Sequence, residues 1–431
     1  MRPFKADKQP RHVTSWGLFI VIALLFGACS PADNPGAPVV EQSLTPTPFQ
    51  PQNGPSGSFF ESWAPPTQSL PSAPLATPTI ILEGGGYMST IYPTLVGALP
   101  YAVPAGINPL TGLPPLSPKL LERRPIAVKV TNFPRYVRPQ SGLTRADVVF
   151  EYYIEDGCTR FIAVFYGNDA ERAGPIRSGR FFDEHILRMY HAYLIFKYAD
   201  DRVEKRLHEP DLKTYLITPG DYSCPPLCQG SNTIDSYNNW FLQTAGLADY
   251  VARRGTDNSH QDIRAGFFYS LPPSSDQQAE RIFLRYSAYA YSYWEYSPDL
   301  HKYARYQEVD SATEGRSESY EVLRDALNGL PVTTDNVIVL FVPYTFANKF
   351  DEEDEVYHVD LFRVGEAYVF RDGLALKAYW WRLNVDQPLI LTDPAGNLLP
   401  LRPGTSFYEV IGKSSSFWRE GSDWHFRFVT P

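Results

Sequence analysis

From residue 106 onward the apolar positions of the chain fall mainly into the two-residue period of strands, with two helical interruptions. Pro125 to Thr131 predicts a strand, and Asn132-Phe-Pro134 a turn after it. Asp147 to Ile154 and Thr159 to Tyr166 alternate on either side of Asp156-Gly157, the pattern of a β-hairpin. Phe181 to Tyr190 places Phe182, Ile186 and Met189 or Tyr190 on one side, which predicts a helix, and Trp240 to Arg254 reads as a second amphipathic one. Tyr193 to Tyr198 is an apolar strand between them. Beyond Leu271-Pro-Pro273 the helical period nearly vanishes. Short strands take over at Tyr291 to Tyr296, Asn336 to Val342, Tyr357 to Val364 and Trp424 to Val429, with turns at Asp372-Gly373 and Asp393 to Asn397. The expected fold class is α+β: a mixed α/β domain over 106–270, then a mostly antiparallel β domain over 271–431.

The first hundred residues obey neither period. Arg2, Lys5, Lys8 and Arg11 precede Trp16 to Ala28, thirteen residues without a charge, which suits a signal-peptide core and is shorter than a bilayer span of ~20 residues. Phe26-Gly-Ala-Cys29 resembles a bacterial lipobox, with Phe26 where leucine is usual. The expectation is a signal peptide over 1–28 and lipidation of Cys29, the alternative being an ordinary secretory signal cut nearby. Each buried methylene of an acyl chain contributes about 0.8 kcal/mol, so several chains together hold a protein stably at a membrane. Ser30 to Pro104 contains fifteen prolines and four charged residues, Asp33, Glu41, Glu61 and Glu83. Such a composition cannot bury a core, and residues 29–105 are expected to form a disordered tether.

Composition narrows the remainder. The 28 Tyr, 26 Phe and 8 Trp favour strands and aromatic packing. A net charge of −9 argues against nucleic acid as a partner and against nonspecific attraction to anionic lipid, so any anion site must be local. Cys224-Pro-Pro-Leu-Cys228 forms a close pair that an oxidising compartment would favour as a small-loop disulfide, unless the intervening prolines hold the sulfurs apart. A metal there would need two further ligands, and none lies at a suitable spacing. Cys158 is left unpaired and is expected to be buried rather than reactive.

Several motifs then occur in a specific order. Asn108-Pro-Leu-Thr-Gly-Leu-Pro114, Arg124-Pro-Ile-Ala-Val128, Arg138-Pro-Gln-Ser-Gly-Leu143 with Ala146-Asp147, Thr159-Arg-Phe161, and Gly174-Pro-Ile-Arg-Ser178 with Arg180 resemble the successive motifs of the YerB-like lipoproteins. Asn336-Val-Ile-Val339, the Tyr357 to Phe370 strands, Asp372-Gly373, Asp393, Gly396 and Pro403-Gly-Thr405 are similar to that family's second domain. The resemblance covers about residues 108 to 412. It implies a two-domain architecture and an extracytoplasmic location, anchored to the outer face of the bacterial cell membrane, and it implies no reaction, because both domains are of unknown function. Near residues 253 to 261, where relatives carry a Pro-His-Asn step, this chain reads Arg253-Arg-Gly-Thr-Asp-Asn-Ser-His260.

The candidate chemistry lies where charge crowds between apolar strands. Arg138, Arg160, Arg177, Ser178 and Arg180 stand close to Asp147, Glu151, Glu155 and Asp183. Arginine offers paired planar donors to phosphate or carboxylate oxygens, so these five residues are the candidate anion site. The alternative is that the arginines pair with those carboxylates and fix the hairpin against the helix. The arrangement also resembles that of the LytR-CpsA-Psr phosphotransferases, though in no aligned motif; that likeness would make Asp147 or Asp183 a metal ligand beside Arg177 and Arg180. No metal site or cofactor motif is otherwise recognised: no Gly-x-Ser-x-Gly elbow, His-Glu-x-x-His, Walker loop or dinucleotide fingerprint occurs. His185 and His191 fall on different faces of one helix. His358 and Asp360 share a strand face, a geometry able to hold a metal or a sugar hydroxyl, or simply a polar outer face. Tyr289, Tyr291, Tyr293, Trp294 and Tyr296 read as a sugar-stacking surface or as core and cross-strand pairs. The sequence therefore points to a membrane-anchored binding or scaffold module of the cell envelope. Its partner is expected to be an anionic cell-wall ligand or an envelope protein, and the alternative is a metal-dependent phosphotransferase acting on cell-wall polymer precursors.

Overall fold

A computed structural model describes residues 92, 93, 95, 103–220, 223–231, 235–313, 316–348 and 354–431. The expected signal segment, Cys29 and nearly all of the expected tether lie outside these residues. Every buried residue of the described chain falls between Asn108 and Phe428.

The protein is mostly β with few helices. A ten-stranded sheet runs in the order Ile390–Thr392, Leu374–Arg382, Arg363–Arg371, Asn336–Val342, Ser406–Gly412, Val148–Tyr153, Thr159–Phe165, Ile126–Thr131, Tyr193–Ile195, Leu216–Ile217. The first five strands come from the C-terminal half and the last five from the N-terminal half. The halves join where Ser406–Gly412 pairs in parallel with Val148–Tyr153, and there the rings of Phe150 and Tyr408 stack at 4.5 Å. A second sheet is built wholly from the C-terminal half, in the order Tyr320–Val322, Lys302–Glu308, Tyr291–Ser297, Arg281–Arg285, Asp423–Arg427, Ser416–Glu420. Its inner face carries Ile282, Leu284, Trp294, Tyr303, Trp424 and Phe426, all buried. Trp294 meets Phe407 of the large sheet at 4.7 Å, and Phe426 meets Phe370 at 6.0 Å. The opposite face of the large sheet is covered by the helix Asp183–Tyr190, whose Tyr190 packs against Phe150.

The hairpin forms as its alternation predicts, over Val148–Tyr153 and Thr159–Phe165, with Asp156 at φ 54° and Gly157 at φ 69° supplying the left-handed turn. The expected helix over Trp240 to Arg254 is shorter. Trp240–Leu242 is a strand paired with Leu227–Gln229, and the helix is confined to Leu247–Arg253. The cause is tertiary: Ile176 N donates to Trp240 O and Ala173 N to Leu242 O, so these backbones are already spoken for as extended chain. The single strand expected at Tyr357 to Val364 is also divided, into Tyr357–Val359 and the start of Arg363–Arg371, because Arg363 sits at φ 78°. A helix at Asp201–Leu207 has no strong apolar period and is set by its cap, Asp200, whose side chain accepts from Arg202 N.

Candidate functional site

The arginine-rich segment is fixed by main-chain bonds to the edge of Ile126–Thr131. Thr131 N donates to Pro175 O at 2.9 Å, Arg177 N to Lys129 O at 3.1 Å, and Lys197 N to Arg177 O at 3.0 Å. Arg177 therefore projects from a rigid base rather than from a free loop. It enters a cleft of about 500 Å³ with Phe133, Arg135, Glu155, Cys158, Arg160 and Tyr289 on its walls.

The five expected anion-site residues do not act alike. Arg138 is turned into the core, where it donates to Asn132 O at 3.1 Å, Glu308 O at 2.8 Å and Glu308 Oε1 at 2.7 Å. Its partner comes from the other half of the chain, which local sequence cannot show. Arg180 grips Glu155 through both Nε, at 2.7 Å, and Nη2, and also donates to Gly179 O. Arg160 donates to the carbonyl of Ser178 at 2.9 Å and lies 3.6 Å from Glu155 Oε1. Burial, reinforced by the neighbouring Arg177, pushes its pKa down to about 10. Arg177 differs from all three. Its guanidinium has no hydrogen-bond partner among the described residues, its Nε is buried, and its Cζ lies over the Tyr237 ring at 5.7 Å. Burial lowers its pKa as well.

Two groups that sequence reasoning passed over complete the site. Arg135 donates to Tyr289 O at 2.7 Å and Ser311 Oγ at 3.2 Å, and it aligns a second cationic wall. Lys129, on the strand to which the Arg177 segment is bonded, is fully buried, 3.0 Å from Asp183 Oδ1 and bonded to the Tyr152 hydroxyl, which itself donates to Asp183. Desolvation outweighs the pull of Asp183 and brings the Lys129 ammonium down to about 7. The signal for Lys129 was present: it is the single charge in an otherwise apolar strand.

The carboxylates considered as metal ligands are occupied by donors. Asp147 accepts from Tyr166 N at 2.6 Å, Gly167 N at 2.8 Å and Asn108 Nδ2 at 3.0 Å, and burial raises it to about 6. Asp183 takes Lys129 and Tyr152 on one oxygen and Arg180 N on the other. Among the described residues no group of three or more His, Cys, Asp or Glu is placed to hold a metal, and no helix is long and apolar enough to cross a membrane. His185 is buried against the other half of the chain: Nε2 faces Val359 O at 2.9 Å and Nδ1 faces Arg382 at 2.8 Å, and burial lowers it to about 4. His358 lies against the Phe181 ring at 4.1 Å. Cys224 and Cys228 are joined in a disulfide, and Cys158 is free, half-buried, with its thiol pushed up by burial. In the divergent loop, Asp257 pairs with Arg124 at 2.7 Å and His260 Nδ1 lies 2.6 Å from Leu121 O, which gives this stretch a structural part.

Comparison with known proteins agrees with this architecture. Residues 110–257 match the N-terminal domain, and residues 282–407 the C-terminal domain, of the family described as "Protein of unknown function (DUF3048)". The chain is 24% identical over 314 residues to a Bacillus subtilis protein named "Putative lipoprotein YerB", covering 70% of this chain and 85% of that protein. The crystal structure of the YerB protein from Bacillus subtilis superposes with a TM-score of 0.58 at 22% identity, over 71% of this chain and 96% of that one, and so shares its fold. With both domains matched in order and the same fold between them, the chain belongs to the DUF3048 family of YerB-like proteins.

Proposed function

We propose that the protein is an extracytoplasmic lipoprotein, anchored through lipidated Cys29, whose cleft binds an anionic ligand of the cell envelope. The observation that carries this reading is the contrast among the arginines: the guanidinium groups of Arg138, Arg160 and Arg180 are bonded to protein oxygens, whereas that of Arg177 stands in the cleft with no partner among the described residues. A guanidinium held half-buried and unpaired on a rigid segment is preorganised for a planar oxyanion, phosphate or carboxylate. Arg135 and Arg160 line the same cleft and, with Arg177, outnumber its two carboxylates, Glu155 and Asp156, while Phe133 and Tyr289 supply apolar wall for whatever carries the anion. No observation favours a metal-dependent phosphotransferase, since Asp147 and Asp183 spend their oxygens on protein donors.

The test is calorimetric titration of residues 103–431, which contain the whole core, with peptidoglycan fragments, phosphate-rich polymers and polyprenyl phosphates at two salt concentrations. Saturable, salt-sensitive binding to one class, lost in a folded Arg177→Ala variant, is the expected result. Absence of binding to all three, or binding that Arg177→Ala leaves unchanged, refutes the cleft. The anchor is tested separately by metabolic labelling with a fatty-acid probe, which should mark the full chain and not Cys29→Ala.

A further inference from the structure

The strand Ser416–Glu420 ends the second sheet. It pairs with Asp423–Arg427 on one side, and among the described residues its other edge faces no strand. All five of its residues are exposed, Phe417 and Trp418 each at 43%, and no proline or bulge interrupts it. Sheets ordinarily protect such an edge with like charges or prolines; here the charges are one Arg419 and one Glu420.

Trp418 is also the end of a row of rings that crosses the outer face of the sheet. Trp418 stacks on His425 at 4.9 Å and 4°, His425 on Phe283 at 4.6 Å and 5°, Phe283 on Tyr293 at 5.1 Å and 32°, and Tyr293 on Tyr306 at 4.5 Å and 4°. The strand register places these residues directly opposite one another. At these separations the rings stand face to face on edge. Their faces are consumed by their neighbours, so the row is no flat platform for a sugar. The exception is the last ring, whose outward face is open.

We infer that this edge pairs with the same edge of a second copy, antiparallel and centred on Trp418. A two-fold axis there sets Trp418 against Trp418 of the partner subunit and continues the stack of rings from one copy into the other. It also sets Phe417 opposite Arg419 and Ser416 opposite Glu420, so that like charges never face each other and the guanidinium meets a ring. The residual exposure of Phe417, whose inner side already packs on Phe426 and Tyr368, is covered by the same pairing. Five residues of edge make a small interface, so the dimer is of the weak, reversible kind.

Sedimentation velocity on residues 103–431 over a rising concentration series should show a monomer–dimer equilibrium. Trp418→Lys, which sets two ammonium groups on the axis and removes the ring contact, should weaken it by at least about tenfold while near-ultraviolet dichroism stays native apart from the lost indole. A second variant keeps the test independent of that substitution. In a Cys158→Ala background, Trp418→Cys should cross-link to its copy on mild oxidation much faster than Phe417→Cys, because only position 418 lies on the axis. A monomer throughout the series, a dimer indifferent to Trp418→Lys, or equal cross-linking at 417 and 418 overturns the inference.

Discussion

Across the join between the two halves one buried cation bridges two buried carboxylates, and removing that cation should be costly. Arg305 is fully buried. Its Nη1 donates to Glu409 Oε1 at 2.8 Å, its Nη2 to Glu151, and its Nε to Gln307 Oε1 at 2.9 Å. The rings of Phe161, Trp294 and Phe407 surround it at 5.4, 5.3 and 5.1 Å. Arg305→Met keeps much of the aliphatic volume but strands Glu151 and Glu409 together without a counter-charge. Breaking a buried pair by deleting one partner costs about 3–5 kcal/mol, because the charge left behind has lost its solvent and its mate. The remaining donors, Thr159 and Asn132 to Glu151 and Trp294 and Tyr286 to Glu409, soften the loss without cancelling it. Urea unfolding of residues 103–431, followed by fluorescence and far-ultraviolet dichroism, measures the difference. The triple variant Arg305→Met/Glu151→Gln/Glu409→Gln should recover most of it, because no unpaired charge is then buried. A single-variant loss below about 1 kcal/mol, or a triple variant no better than Arg305→Met, would refute this account of the seam.

Other expectations follow from the same contacts. Glu409 is raised to about 7 by burial and by the nearby Glu151. Between its unfolded value near 4.5 and that pH the folded state holds the extra proton, so this group makes stability fall as pH rises through the window; Glu409→Gln should remove that slope from pH-dependent unfolding curves. Residues 106–270 produced alone should fail to give a dispersed NMR spectrum, because Val148–Tyr153 loses its parallel partner Ser406–Gly412 and the face bearing Phe161 and Glu151 loses its cover. For the same reason residues 103–431 should unfold in one transition by every probe, and two separated transitions would show that the halves are independent.

What was legible in the chain was local. The hairpin around Asp156-Gly157, the strand Asn336–Val342 and the helix Asp183–Tyr190 follow from period and turn chemistry within a few residues. The density of arginine at the site was legible as well. Which arginine remains unpaired was not, because the decision rests on distant residues: Glu308 claims Arg138 from 170 positions away. The same holds for Trp240–Leu242, whose helical pattern yields to backbone bonds from Ala173 and Ile176, and for the shared sheet, whose central pair joins residues more than 250 positions apart. Propensity acts along the chain; register and charge pairing are settled across it.

The stability of Arg177→Ala separates a ligand-binding arginine from a structural one even before a ligand is known. A structural arginine contributes through the oxygens it satisfies, and its loss leaves them bare. Arg138→Ala should therefore destabilise the protein severely, since Glu308, already raised by burial, would lose its hydrogen-bonded cation and keep only Arg135 at 3.8 Å. The Arg177 guanidinium satisfies no oxygen among the described residues, and its buried Nε forgoes water without compensation, a state that costs roughly 1–3 kcal/mol for a fully buried polar group and less on this half-buried side chain. Truncation to alanine relieves that cost and also removes the repulsion that depresses Arg160. Thermal unfolding of Arg177→Ala should accordingly occur at or above the temperature of the parent, whereas Arg138→Ala unfolds well below it. A marked fall in stability for Arg177→Ala would mean that the guanidinium has a partner in the folded protein, and the cleft would lose the one group that sets it apart from an ordinary ion-pair network.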